Sequence, residues 1–218
     1  MTSHHLNDHY QTDAKRSWRD YVYSLLTPDT CALLVDNDNR LRHKWLELVG
    51  DNAHTFNQLL STGRIEESQL VGVDNRVDNA TACSKLFPSA QFYGNDWDSF
   101  CRTYRGNDIG VIVFDSWNAG AGNDFKRQID ATLHLVKRCK DKLGECLLVV
   151  NVDGSKTHRS FGFSKGLDAR EVLKNSMEAA FKKFPGGMFS TLVIDPGTMY
   201  AYRQSAKNTK MLSVGVLV

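Results

Sequence analysis

No apolar run in this chain approaches the ~18 residues that a membrane span requires, and the polar lead Met1-Thr2-Ser3-His4-His5 lacks the apolar core of a secretory signal. The expectation is a cytoplasmic chain with no membrane partner. No C-x-x-C pair joins Cys31, Cys83, Cys101, Cys139 and Cys146, which argues against a zinc ribbon or redox motif and fits reduced, buried thiols. No metal is expected either, because no carboxylate or cysteine spacing completes a site around His4, His5 and His9. An excess of one charge is also missing. Lysine and arginine number 27 against 25 acidic residues, and a net charge of +2 does not by itself mark a nucleic-acid binder.

What the chain does carry is an alternation of element signals over 218 residues, a length that suits one α/β domain of ~200 to 250 residues better than two. Residues 14–26 place Trp18, Tyr21, Val22, Leu25 and Leu26 at a helical period, and residues 31–35 read as a strand or an extended lead. Strands are expected over 44–49, 70–73, 91–93, 109–114 and 146–152. Helices are expected over 55–60, 79–87, 124–143 and 167–184, with Pro88 and Pro185-Gly186-Gly187 as stops. The end breaks the pattern: 189–194, 199–203 and 211–218 are all β-like, and no helix fits between the last two. A parallel pair needs a crossover of about a dozen residues, so this ending predicts antiparallel pairing at one edge. The expected architecture is a doubly wound, mostly parallel α/β sheet with an antiparallel C-terminal edge. It divides into a polar lead and helical extension (1–43) and the domain that carries the sheet (44–218).

Three acidic residues each close a short apolar run: Glu47 after Trp45-Leu46, Asp74 after Leu70-Val71-Gly72-Val73, and Asp115 after Val111-Ile112-Val113-Phe114. Asp96, in Tyr93-Gly94-Asn95-Asp96-Trp97, lies between the second and the last. The pattern puts carboxylates at the carboxyl ends of successive parallel strands, the edge at which an open α/β sheet binds a nucleotide-like ligand. A carboxylate at Asp74 accepts two hydrogen bonds from a vicinal diol, Gly50 lets backbone approach a ligand without a Cβ, and Trp97 suits stacking on a planar ring. Each residue has a second role open to it: a helix N-cap for Asp74, Asp96 or Asp115, a turn for Gly50, a core aromatic for Trp97.

These motifs, in this order, resemble the class I S-adenosylmethionine-dependent methyltransferases over most of the chain, roughly 44–218. The resemblance implies S-adenosylmethionine as cofactor, with Glu47 and Gly50 in the turn after the first strand. It also implies Asp74 and Asn75 at the ribose, and Asp96 and Trp97 at the adenine. The chemistry is expected at Asp115-Ser116-Trp117-Asn118, with Asp115 and Asn118 orienting an acceptor and Trp117 stacking on it. The chain departs from the family in offering Gly50 alone, with Val49 and Asn52 where small residues are usual. It has neither the Asp-Pro-Pro-Tyr motif of amino-methylating nucleic-acid enzymes nor a Pro-Cys nucleophile.

Residues 118–123 suit either a lid or a solvent loop. After the fifth strand, Lys156, His158, Arg159 and Lys165 interleave with Phe161 and Phe163, a composition able to track phosphates and stack bases, and equally that of a surface loop. A nucleic-acid acceptor is therefore expected, with Lys156 and Arg159 as contacts. The rival reading is a non-catalytic methyltransferase-like binding protein, favoured by the reduced glycine turn. An NAD enzyme is disfavoured by the absence of G-x-G-x-x-G and by the antiparallel finish.

Overall fold

The computed structural model describes residues 13–50, 53–116, 122–153, 168–185, 189, 194–195, 198–204 and 209–218. Its elements are α1 (Asp13–Ser24), β1 (Lys44–Leu48), α2 (His54–Ser61), β2 (Leu70–Val73), α3 (Val77–Leu86), β3 (Gln91–Tyr93), α4 (Trp97–Thr103), β4 (Ile109–Ser116), α5 (Gly122–Leu143), β5 (Leu147–Asp153), α6 (Ala169–Lys183), β6 (Tyr200–Gln204) and β7 (Thr209–Leu217). The strands form one sheet in the order β3-β2-β1-β4-β5-β7-β6. β1 to β5 run parallel, and β7 is antiparallel to both β5 and β6.

The expected sheet, including its antiparallel finish, is the one observed. The side-chain period of two explains why the strands read as continuous apolar runs, since both faces are covered. On one face Leu46, Ile112, Phe114, Leu148 and Val150 pack against α4, α5 and α6. On the other, Trp45, Val111, Val113, Leu147 and Val149 lie under α1 and α2.

Three local features differ from the expectations. Residues 31–35 form turns closed by an isolated Val35–Leu41 bridge. The helix α4 was not anticipated, although Trp97, Phe100, Cys101 and Tyr104 keep the i, i+3, i+4, i+7 period and are all buried. β4 also continues past Phe114, because Asp115 and Ser116 pair with Asn151 and Val152 of β5. Asp115 is thus held within the ladder. Residues 190–193, part of the expected 189–194 strand, lie outside the described residues.

α1 belongs to the same core. Its buried positions Lys15, Trp18, Arg19, Val22 and Tyr23 follow the helical period, and Trp18 donates its indole N–H to Ser213 Oγ of β7 at 2.9 Å. Gly215 of β7 makes room for the same helical segment, since a Cβ there would lie 2.4 Å from Leu25 Cδ1. The Tyr21 and Tyr200 rings stack at 4.9 Å, and the Tyr21 hydroxyl donates to the Thr198 carbonyl. Trp18→Ala removes a fully buried indole and takes the indole donor from the buried Ser213 hydroxyl, so a loss of about 3 to 5 kcal/mol is expected. Urea unfolding of parent and variant measures it, and a loss below about 1 kcal/mol would show that α1 is not part of the cooperative core.

Candidate functional site

The crossovers diverge at β1: the chain passes from β1 to β2 on one side and returns to β4 on the other. Backbone loops leave the strand ends in opposite directions there and open a crevice at the carboxyl edge. A cleft of about 350 Å³ occupies this place, walled by Val49, Gly50, Asp74, Asn75, Asp96, Trp97, Asp98, Phe114, Asp115, Arg127 and Gln128 among others. The volume falls in the range of small-molecule sites.

Six residues singled out from sequence converge on this cleft: Gly50, Asp74, Asn75, Asp96, Trp97 and Asp115. Asp74 is nearly buried, at 6 % exposure. Its Oδ1 accepts from the Arg76 backbone N–H at 2.8 Å and its Oδ2 from Asn79 Nδ2 at 2.9 Å. Each carboxylate oxygen has a second lone pair, so the turn that fixes Asp74 leaves acceptor capacity for a ligand. Asp96 stands at the N-cap position of α4, yet its side chain makes no capping hydrogen bond. Trp97 donates its indole N–H to Thr132 Oγ1 at 2.8 Å and its ring packs on Phe114, 5.4 Å between centroids. At 3 % exposure it is a core aromatic that closes the cleft wall. A Cβ built on Gly50 meets no protein atom within 4 Å, so packing alone does not require glycine at this wall of the cleft.

The turn from β1 to α2 keeps a left-handed residue despite its single early glycine. Ala53 adopts φ 43° and ψ 44°, a region that costs an L-residue roughly 1 to 2 kcal/mol. Asn52 lies outside the described residues, as do Trp117, Asn118, Lys156, Arg159 and the remainder of 117–121 and 154–167.

Glu47 is not at the cleft. Its side chain points under α1, 3 % exposed, where Trp45 Nε1 donates to Oε2 at 3.1 Å. Arg19 lies close by, itself donating to Thr55 Oγ1 at 3.2 Å and Gln58 Oε1 at 2.9 Å. Burial pushes the Glu47 carboxyl up to about 7. The Arg19 charge and hydrogen bonds from Trp45 and Thr55 oppose that rise, while Asp115 adds to it.

Sequence reasoning missed the partners of Asp115. Lys15 Nζ lies 2.9 Å from Asp115 Oδ2, and Asn151 Nδ2 donates to Oδ1 at 2.8 Å. Arg127 and Asp98 add a 3.2 Å ion pair at the wall. The missing signal was Lys15 and Arg19 falling on the apolar stripe of α1 beside Trp18 and Val22, where a solvated helix would carry no cations.

The sequence matches no protein-family model and no curated protein. Solved structures share its fold at low identity. An S-adenosylmethionine-dependent methyltransferase from Clostridium acetobutylicum ATCC 824 superimposes with a TM-score of 0.51 at 12 % identity, covering 97 % of this chain and 95 % of that one. The bifunctional kinase-methyltransferase WbdD gives a TM-score of 0.51 at 12 % identity, covering 96 % of this chain and 42 % of that one. The fold is the class I methyltransferase fold.

Glu47 makes stability depend on pH with a definite sign. A carboxyl raised in the folded state from its ordinary 4.5 to about 7 contributes stability that is complete below pH 4.5 and is lost as pH rises to about 7. The rise corresponds to about 3 kcal/mol. Glu47→Gln should therefore gain on the parent by an amount of that order between pH 4.5 and pH 8 in denaturant titrations. Parallel pH profiles for the two proteins would show that Glu47 ionises without penalty.

Proposed function

We propose that this chain is an S-adenosylmethionine-dependent methyltransferase. One observation carries the reading: at the reversal of strand order, Gly50, Asp74, Asp96 and Asp115 meet around a cleft of about 350 Å³. The protein offers there what the cofactor needs. Asp74, fixed by its own turn, takes the ribose hydroxyls, with Asn75 beside it. Asp96 takes the exocyclic amino group of adenine, and Trp97 closes the wall behind it from the core. The absence of a Cβ at Gly50 leaves room for close contact with the backbone. Glu47 contributes from beneath, through the packing of β1.

When bound, the cofactor supplies an already activated methyl group, so the protein's work is to hold the acceptor in line and keep water out. Asp115 orients the acceptor, a role supported by its two oxygens being held by Lys15 and Asn151 and by its position on the cleft wall beyond Phe114. Asn118 and Trp117, which follow it, are the companions assigned from sequence. Calorimetric titration with S-adenosylmethionine tests the reading. The parent should bind, and Asp74→Ala should weaken binding by about 1 to 3 kcal/mol. A folded Asp74→Ala protein that binds like the parent would remove Asp74 from the ribose.

For the acceptor we favour a nucleic acid, a reading supported by the alternation of Lys156, Arg159 and Lys165 with Phe161 and Phe163. Anisotropy of labelled single- and double-stranded oligonucleotides across a salt series should show affinity falling with salt. Replacing those three cations by alanine should reduce the slope by about 2 to 3. An unchanged slope would exclude the segment from binding, and a parent that binds no oligonucleotide at low salt would turn the search to small molecules and proteins.

A further inference from the structure

The cations around the cleft are not equivalent. Arg76 sits 3.6 Å from Asp74, and Arg127 sits 3.2 Å from Asp98, but both arginine side chains are more than half exposed. Water and salt screen them. Lys15 is different: its side chain is 5 % exposed, the Asp115 side chain 17 %, and the two approach to 2.9 Å. Its ammonium also lies 5.0 Å from the centre of the Trp18 ring. Burying a lysine costs several kcal/mol before pairing returns any of it, so such a pair is a poor device for stability alone. α1 has other anchors in Trp18–Ser213, Arg19–Thr55 and the Tyr21–Tyr200 stack.

The consequence of the pair is electrostatic. Asp115 is the carboxylate at the β4 end of the cleft, and without Lys15 it would present an unscreened negative charge to whatever binds there. S-adenosylmethionine carries a sulfonium, and its demethylated product S-adenosylhomocysteine has a neutral thioether at the same atom. An uncompensated carboxylate would hold the donor and release the product.

We propose that Lys15 is a positioning residue of this cleft, acting through Asp115: it neutralises the carboxylate at the β4 edge and so sets the ratio of affinities for the methyl donor and its demethylated product. The proposal rests on the reading of the cleft as an S-adenosylmethionine site. An aspartate with both oxygens held, by Lys15 on one and Asn151 on the other, keeps a fixed orientation toward the cleft and shows it no net charge.

The test is calorimetric titration of S-adenosylmethionine and S-adenosylhomocysteine, at pH 8 and low salt, into the parent, Lys15→Gln, Lys15→Arg and the double variant Lys15→Gln/Asp115→Asn. Lys15→Gln keeps a donor to Asp115 and drops the charge, so the ratio should move toward the sulfonium by about fivefold, the scale of one charge acting across a partly solvated site. Lys15→Arg and the double variant, which are charge-balanced, should return to within twofold of the parent. A merely structural lysine would lower both affinities together and leave the ratio alone. Ratios within twofold for every folded variant overturn the proposal and leave the methyl-donor reading standing. A parent that binds neither ligand overturns both. Thermal unfolding identifies any variant that fails to fold; if Lys15→Gln does, Lys15→Met takes its place, with Lys15→Met/Asp115→Asn as its balanced control.

Discussion

The parallel ladder between β1 and β4 is the constraint on which the rest of the molecule depends. Those two strands lie side by side, yet their crossovers leave in opposite directions, one toward β2 and one toward β5. Helices must then cover both faces, which is why Leu46 and Ile112 pack one way and Trp45 and Val113 the other. The same divergence leaves the carboxyl ends uncovered between them. The cleft is therefore a product of topology, and the side chains at its wall are those that end or follow β1, β2, β3 and β4, with Arg127 and Gln128 of α5.

On the α1 side of this ladder the core is polar in a way that ordinary packing avoids. Glu47, Lys15, Arg19 and Asn151 are all buried, and each is tied to a neighbour from another element, Glu47 through Thr55 of α2. Charges held at such depth must be paired or shift toward neutrality, and Glu47 does the second while Lys15 does the first. The two carboxylates sense each other, since Asp115 adds to the rise at Glu47. Through them α1, far from the cleft in sequence, is coupled to the strand end that forms its wall.

Much of this was legible in the chain itself. The strands Leu70–Val73 and Gln91–Tyr93 have the bounds expected of them, because apolar runs stop at charged or turn-forming residues. The antiparallel finish was legible because no crossover helix fits between residues 203 and 211. Asp74, Asp96 and Asp115 were legible as one edge, since Asp74 and Asp96 follow their strands and Asp115 closes the apolar run of β4. The seven residues of α4 were missed because the short stretch after Asp96 was read for its acidic and aromatic site residues rather than for its period.

By itself, then, the sequence determined the order of elements and the edge on which the acidic residues gather, because both follow from local periodicity and strand ends. Only the tertiary structure decided which of those carboxylates face the cleft. Glu47 and Asp115 look alike in sequence, each closing an apolar run, but β1 points Glu47 into the packing beneath α1 while β4 carries Asp115 on to the cleft. Nor does any local pattern join Lys15 to Asp115, one hundred residues apart. That contact exists because the sheet buries one face of α1, and a buried ammonium must find an anion.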